Sequence, residues 1–149
     1  MDARILIVDD HATVRESLRY VFSAAGMDRI MEANGSEQAL RIMRDHEIEL
    51  VLLDVMLRNN DDIDVFRKIH AVDGSIPVLI HSYYDDPRLL TRGYHLGAAG
   101  YVVKGRDKNA LIQAIRQAAA SGSSWTTEQM ARIHDLEADV GNVEPKRAT

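Results

Sequence analysis

The stretch Leu50–Asp54, which reads LVLLD, decides the fold of this chain, because four apolar residues run straight into one carboxylate. An uninterrupted apolar run of this length is typical of a strand that is buried on both faces. Residues Ile5–Val8 repeat the pattern as ILIV and are followed by Asp9 and Asp10. Parallel strands bring their carboxyl ends to one edge of a sheet, which is where open α/β folds bind ligands.

Three carboxylates are expected to meet at this edge, and their mutual repulsion has to be relieved. At a separation of ~4 Å and an effective dielectric of ~20, each pair of like charges repels by roughly 4 kcal/mol. Either a hard divalent cation binds Asp9, Asp10 and Asp54, or the pKa values of these groups are strongly raised. The first alternative predicts a site for Mg²⁺, with Mn²⁺ as a substitute.

The rest of the chain repeats the alternation of an apolar strand and an amphipathic helix. Strands are predicted at residues 4–8, 30–33, 49–53, 78–82 and 100–103. Helices with apolar residues at helical spacing are predicted at residues 11–25, 36–46, 63–71, 87–96 and 107–120. This alternation predicts a doubly wound parallel sheet with helices on both faces, whose crossovers are right-handed.

The character of the sequence changes after the fifth helix. Residues 121–124 read SGSS and predict a linker. Thr126 and Gln129 form a capping-box pattern, which predicts a helix over residues 127–138. Residues 141–149 predict a frayed tail. The predicted organisation is one domain over residues 1–120, then a linker with a short helix and a disordered tail over residues 121–149.

Composition narrows the classes of protein to consider. The chain has 149 residues, a net charge of -5 and no cysteine. The acidic balance argues against binding nucleic acid through its phosphates, and the absence of cysteine excludes disulfides and thiolate chemistry. The sequence shows neither a signal-peptide layout nor an apolar run of the ~20 residues that cross a bilayer. We therefore expect a cytoplasmic protein that has no membrane partner.

Four strand ends are expected to project groups with a chemical use at the same edge. Asp9 and Asp10 suit a cation, and Asp54 is both a ligand and a nucleophile that can attack phosphorus to give an aspartyl-phosphate. Lys104 can pair with phosphoryl oxygens, and the Ser82 hydroxyl can donate to another of these oxygens. Taken singly, each of these groups also has a purely structural interpretation. The acidic pair could simply cap the first helix, Lys104 could be a solvated lysine, and Ser82 could be a turn residue.

The layout resembles the receiver domain of two-component response regulators over about residues 3–120. The matching motifs, in order, are VDDH at residues 8–11, Asp54 after an apolar strand, Ser82 after the fourth strand, and GAAGY at residues 97–101 followed by Lys104. VRE at residues 14–16, after the acidic pair and His11, looks most like the NarL/FixJ branch, whose members carry a C-terminal helix-turn-helix DNA-binding domain.

This resemblance implies a flavodoxin-like, CheY-like sheet of order 2-1-3-4-5 and Mg²⁺-dependent phosphotransfer from a sensor histidine kinase to Asp54. It implies that the Met56 carbonyl contributes to the metal site. It also implies a switch in which Ser82 moves toward the phosphoryl group and Tyr101 turns inward. A homodimer is expected, with DNA reached only through an output domain absent from this chain. The chain is then either a piece of a longer regulator or a stand-alone receiver.

Three positions depart from the family pattern. Arg58 and Asp62 stand where the family usually has Pro and Gly, and Tyr83 follows Ser82 where the family usually has Ala or Gly. We therefore expect the backbone conformation of the loop over residues 58–62 to be less preset than in the family. We also expect Arg58 and Tyr83 to modulate access to Asp54 and to slow its phosphorylation or its dephosphorylation.

Other classes of function remain open from the sequence. A receiver-like module that signals by protein–protein interaction without phosphorylation is the main alternative. A nucleotide-binding reductase of doubly wound fold lacks support, because no Gly-rich loop follows the first strand. A Mg²⁺-dependent phosphohydrolase fits the carboxylates, but a short chain without a cap domain argues against it. We expect a phosphoacceptor signalling domain rather than an enzyme, with self-catalysed phosphotransfer and autodephosphorylation only.

Overall fold

The computed structural model describes residues 3–147, with side chains described for residues 3–139. Five strands form one sheet: β1 Ile5–Val8, β2 Ile30–Ala33, β3 Leu50–Asp54, β4 Val78–Ser82 and β5 Gly100–Val103. All four strand pairs are parallel, and the order is β2-β1-β3-β4-β5. The predicted flavodoxin-like, CheY-like sheet of order 2-1-3-4-5 is confirmed.

The helices are α1 Ala12–Ala24, α2 Ser36–Asp45, α3 Asn60–His70, α4 Pro87–Leu96, α5 Lys108–Ser121 and α6 Thr127–Arg147. The start and end of α4 follow directly from the sequence. The Asp86 side chain accepts a hydrogen bond from the Arg88 N–H at 2.9 Å, and Pro87 occupies the first turn. Gly97 ends the helix in the left-handed region, with φ 97°. Within residues 3–147, no helix combines the length and the apolar composition needed to cross a membrane.

The core lies in two layers, one on each face of the sheet. Ile5 and Leu52 pack in the layer that contains residues of α1 and α5, whereas Leu6 and Leu53 pack in the layer that contains residues of α2, α3 and α4. Because successive side chains of a strand point to opposite faces, a strand with a helix on each side has to be apolar throughout. Burial of each such side chain stabilises the fold by about 1.5–3 kcal/mol.

The segment after α5 differs from the prediction. The segment predicted as a linker packs against the sheet, because Ser124 is buried and its N–H donates to the Ala99 carbonyl at 2.7 Å. Helix α6 begins at Thr127 as predicted but continues to Arg147, beyond the expected end near residue 138. Packing on α4 buries Ile133 and fixes the first turns, and each further residue then adds one backbone hydrogen bond. The last two residues of the predicted tail lie outside the described residues.

Candidate functional site

Strand register brings the predicted site residues to one edge of the sheet. Val8 pairs with Leu53, so Asp9 and Asp54 follow on neighbouring strands. Ser82 ends β4, beside β5. The Lys104 N–H continues the ladder by donating to the Ser82 carbonyl at 2.7 Å. The carboxyl ends of β1, β3, β4 and β5 therefore present their polar groups side by side, as the sequence predicts.

Lys104 links two of the carboxylates. Its Nζ lies 2.8 Å from Asp9 Oδ2 and 3.1 Å from Asp54 Oδ1, and the whole side chain is buried. Burial acts to lower the Lys104 pKa, but the hydrogen bonds to Asp9 and Asp54 outweigh it, and the pKa is raised. The ammonium group is therefore a fixed positive charge within the site, and it offsets part of the repulsion between the acids.

The pKa values of the two carboxylates that contact Lys104 shift in opposite directions. Burial acts to raise the pKa of Asp9, but hydrogen bonds from Lys104 and from the His11 N–H outweigh it and lower the pKa. Burial raises the pKa of Asp54, with help from the charges of Asp9 and Asp10, although Lys104 opposes the shift. Of the two relief routes predicted from sequence, a raised pKa is thus found at Asp54. Its side chain remains one-fifth exposed, and this leaves one face open for reaction.

The acidic cluster also includes His11, to which the sequence interpretation gave no role. Ligand atoms of Asp9, Asp10, His11 and Asp54 all lie within 4.8 Å of one another. His11 Nδ1 is 2.8 Å from Asp10 Oδ1 and 3.3 Å from Asp9 Oδ1. Its position directly after the acidic pair was the only sequence signal. The three carboxylates supply the oxygen ligands that hard divalent cations prefer, so the residues present fit such an ion.

A cavity of about 320 Å³ adjoins the cluster. Asp9, Asp10, Asp54 and Met56 contribute to its wall, and so does Asp62. The prediction from sequence treated Asp62 only as a departure from a family pattern, whereas the structure adds its carboxylate to the rim of the site. The cavity therefore offers space beside Asp54 for a small group.

Polar contacts position the loop between β3 and α3. Asn59 Oδ1 accepts from the Asp62 N–H at 2.9 Å, and Asp62 Oδ2 accepts from the Arg58 N–H at 3.2 Å. The Arg92 guanidinium donates to the carbonyl of Leu57, which adopts the left-handed region with φ 57°. The expectation of a less preset loop stays a prediction, and these hydrogen bonds are the contacts that position the backbone where Pro and Gly are missing.

Arg58 and Tyr83, the two residues predicted to modulate access to Asp54, contact different groups. Tyr83 is 63% exposed, and its ring centroid lies 4.9 Å from Lys104 Nζ, so its phenol stands over the site. The Arg58 guanidinium instead lies 4.0 Å from the ring centroid of Tyr84, the residue that follows Tyr83. Cation–π contacts of this kind join the loop after β3 to the loop after β4.

Ser82 and Tyr101 hold the same backbone unit. Ser82 Oγ accepts from the Tyr84 N–H at 3.2 Å, and the Tyr101 hydroxyl donates to the Tyr84 carbonyl at 2.5 Å. Both side chains are buried, so the Tyr101 ring already lies inward. Burial raises the Tyr101 pKa, although a hydrogen bond with Ser82 opposes the shift. The two predicted switch residues are therefore joined through the loop over residues 83–86.

Comparisons with known proteins agree with this geometry. Residues 5–116 match the family model described as response regulator receiver domain. Sporulation initiation phosphotransferase F of Bacillus subtilis is 32% identical over 117 residues, which cover 78% of this chain and 94% of that protein. The DNA-binding response regulator MtrA of Mycobacterium tuberculosis is 33% identical over 140 residues, which cover 94% of this chain and 60% of MtrA.

A solved structure extends the likeness to the whole architecture. The two-component response regulator of the LuxR family from Aurantimonas sp. SI85-9A1 superposes with a TM-score of 0.79 and 29% sequence identity. The superposition covers 93% of this chain and 99% of that one. The chain thus spans almost the full length of some relatives, but only about 60% of the length of MtrA.

Proposed function

Because the chain belongs to the response regulator receiver domain family, we propose that Asp54 accepts a phosphoryl group and that this phosphorylation switches an output. The family is a class of two-component signalling domain rather than of classical enzymes. The observation that carries the proposal is the bridge from Lys104 Nζ to both Asp9 and Asp54 at the open edge of the sheet. It sets a buried positive charge beside a partly exposed carboxylate.

The proposed reaction uses side chains of this chain, a divalent cation and a phosphodonor. A carboxylate oxygen of Asp54 attacks phosphorus and forms a P–O bond. The bond from phosphorus to the leaving group breaks, and the leaving group (the imidazole of a phosphohistidine, or acetate from acetyl phosphate) departs with the electron pair. Lys104 pairs with the phosphoryl oxygens, and Ser82 donates its hydroxyl hydrogen to one of them. Hydrolysis of the acyl phosphate by water returns the free carboxylate and releases inorganic phosphate.

The acidic residues of the site would also hold a divalent cation. Asp9, Asp10 and Asp54 supply carboxylate oxygens that lie close enough to share one ion. Met56, which lines the adjoining cavity, would add its backbone carbonyl. Mg²⁺, or Mn²⁺ in its place, neutralises negative charge on a phosphoryl group when bound. One ammonium group cannot balance three carboxylates, and this supports a cation in addition to Lys104.

The partners follow from the proposed reaction. A sensor histidine kinase is the proposed phosphodonor, and the cytoplasm is the proposed location of the chain. Transcription is the proposed output, because MtrA, a relative, is named a DNA-binding response regulator. Contact with DNA would fall to a domain outside this sequence. A homodimer is a further proposal from the sequence.

The first test is intact mass spectrometry after incubation with acetyl phosphate, with and without Mg²⁺. We expect a gain of one phosphoryl group that requires Mg²⁺ and is absent from Asp54→Asn. A gain that survives in Asp54→Asn would show that another residue accepts the phosphoryl group, and no gain at all would contradict the proposal.

A second candidate function is a receiver-like interaction module that works without phosphorylation. The ring of Tyr83, which lies 4.9 Å from Lys104 Nζ, favours this candidate, because Lys104 is the cation that would pair with the incoming phosphoryl group. If Tyr83 only slows access, Tyr83→Ala should speed the phosphoryl gain and the later loss of the group in the same assay. Unchanged rates would remove Tyr83 as a gate, and absence of phosphorylation in both forms would favour the interaction module.

A further inference from the structure

Arg15 is the central residue of VRE at residues 14–16, and the proposed function assigns it no role. It lies in the first turn of α1, where its N–H donates to the His11 carbonyl at 3.2 Å. Because helical side chains tilt toward the N-terminus, its guanidinium extends back toward the start of the helix. The side chain is 17% exposed, and a charged group that is this well covered needs partners within the fold.

The guanidinium of Arg15 holds two acceptors that lie on neighbouring strands or next to them. Its Nη1 donates to the backbone carbonyl of Asp9, just after β1, at 2.6 Å. Its Nε donates to Glu32 Oε1, on β2, at 3.2 Å. A guanidinium presents its N–H groups in a planar fork, so one side chain can hold both acceptors in a fixed relation. Glu32 thus orients Arg15, and Arg15 positions the Asp9 carbonyl.

This carbonyl belongs to the peptide bond that joins Asp9 to Asp10. The atoms of a peptide unit, from one Cα to the next, lie close to one plane. A hydrogen bond that fixes the direction of the carbonyl therefore also fixes the direction in which the chain enters Asp10. Asp9 itself has further restraints, because its N–H donates to the Ala33 carbonyl at 3.1 Å and its carboxylate contacts Lys104. The contact from Arg15 extends this restraint to Asp10.

Asp10 is the carboxylate of the acidic cluster that gains most from such a restraint. Its side chain is 71% exposed, whereas the side chain of Asp9 is 2% exposed. An exposed side chain loses conformational freedom when it binds an ion, and this loss weakens the binding. A backbone that already directs the side chain toward the ion reduces the loss.

We propose that Arg15 is a positioning residue for the divalent cation, because it holds the peptide bond between Asp9 and Asp10 and so directs the Asp10 carboxylate toward the ion. The inference rests on the cation site of the proposed function. Arg15 acts through Asp10 and is not itself a ligand, since a guanidinium has no acceptor atom. Residues that orient metal ligands typically contribute roughly 10- to 100-fold to metal affinity.

The positive charge of Arg15 gives the proposal a sign that electrostatics alone would not produce. A positive charge near a cation site repels the cation, so its removal would by Coulomb's law tighten the binding of Mg²⁺. Loss of positioning has the opposite effect. We expect Arg15→Gln to raise the Kd for Mg²⁺ about 10-fold or more, although the variant has lost a positive charge. Isothermal titration calorimetry of the full chain at constant ionic strength measures this Kd.

Arg19→Gln is the matched control, because it removes the same charge from the same helix. Arg19 lies one turn further along α1, where its Nη1 is 3.5 Å from Glu32 Oε2 and donates to the Ile30 carbonyl at 3.0 Å. We expect its Kd for Mg²⁺ to be unchanged or lower. Arg15→Lys keeps the charge but lacks the fork, so its Kd should also rise. If Arg15→Gln does not fold, a Kd in Arg15→Lys equal to that of the parent overturns the proposal.

Two measurements without Mg²⁺ separate positioning from a purely structural role. Urea unfolding gives the free energy of unfolding of each variant, and ¹⁵N relaxation gives the order parameter of the Asp10 amide in the folded chain. A purely structural role would lower the free energy of unfolding and leave the Kd of the folded chain unchanged. Positioning predicts a lower order parameter at Asp10 and a higher Kd in Arg15→Gln, with neither change in Arg19→Gln.

Intact mass spectrometry with acetyl phosphate distinguishes failure of this inference from failure of the proposed function. Mg²⁺-dependent phosphorylation of the parent, with an unchanged or lower Kd for Mg²⁺ in Arg15→Gln, would overturn positioning by Arg15 and leave the proposed function standing. A higher Kd in Arg15→Gln without phosphoryl gain in the parent would support positioning and overturn the proposed function. Absence of Mg²⁺ binding by the parent would overturn the inference together with the cation site on which it rests.

Discussion

Single residues set the charge balance of the site. Lys104 contacts Asp9 and Asp54 at once, so neither carboxylate is left as an uncompensated buried charge. Asp10 is 71% exposed and is paired with His11. The cluster thus has a buried part, in which Lys104 contacts Asp9, and an exposed part, in which Asp10 contacts His11. One ligand can replace another in the exposed part.

His81 is a buried titratable residue that the proposed reaction does not use. It pairs with Asp54 across β3 and β4. Burial lowers its pKa from 6.5 to about 4, and the charge of Lys104 adds to the shift while Asp9 opposes it. The imidazole is therefore neutral in the folded chain at neutral pH, and the unfolded chain binds the proton more tightly.

This difference predicts a pH dependence of stability. Between pH 6.5 and about 4 the unfolded state binds more protons at this position, so the free energy of unfolding falls as the pH falls. From pH 7 to pH 5 the contribution of His81 is about 2 kcal/mol. Urea unfolding at both pH values should show that His81→Leu loses about 2 kcal/mol less stability than the parent. The exposed-residue variant His46→Gln is the control, and an equal loss in parent and His81→Leu would contradict the assignment.

At the level of elements, the turn into α3 shows how polar side chains replace Pro and Gly. Asn59 caps the helix by accepting from the Asp62 N–H, and Asp62 returns a hydrogen bond to the Arg58 N–H. The same turn carries Met56 and Asp62 into the wall of the cavity beside Asp54. The shape of the site is therefore coupled to the N-terminus of α3.

We expect Asn59→Ala to lower the free energy of unfolding by about 1 kcal/mol, because the N–H of Asp62 loses its acceptor. Asn60→Ala is a matched control, since Asn60 is the next residue and is exposed, but does not cap the helix. Its effect should stay within about 0.5 kcal/mol. Equal losses in the two variants, measured by urea unfolding, would show that the cap does not stabilise the turn.

At the scale of the whole molecule, the divalent cation proposed for the carboxylate cluster should stabilise the folded chain. Binding only to the folded state contributes about 2.7 kcal/mol at one hundred times the Kd, which raises the Tm by about 5–10 °C for a chain of this size. Thermal unfolding with increasing Mg²⁺ should show this rise. Asp10→Asn should abolish it without disturbing the buried Lys104 contacts, whereas Asp45→Asn at the far end of α2 should retain it. A rise that persists in Asp10→Asn would contradict the proposed ligand set.

The sequence by itself determined the sheet, its order through the family resemblance, and the edge at which the site forms. Each of these follows from local patterns. An apolar run predicts a buried strand, and the residue after the run lies at the end of that strand. The capping box of α6 was readable in the same way, and Thr126 and Gln129 exchange the two predicted hydrogen bonds. Register then brings the carboxylates and Lys104 together without further information.

Only the tertiary structure decided where α6 lies and what the loops contact. Arg132 meets Asp85 across 47 residues of sequence, and Arg58 meets the ring of Tyr84 across two different loops. No periodicity records such pairs, because they depend on which surfaces the packed elements leave facing each other. An apolar stripe on α6 requires that the helix be covered, but it does not specify by what. The packing of α4 and β5 supplies that partner.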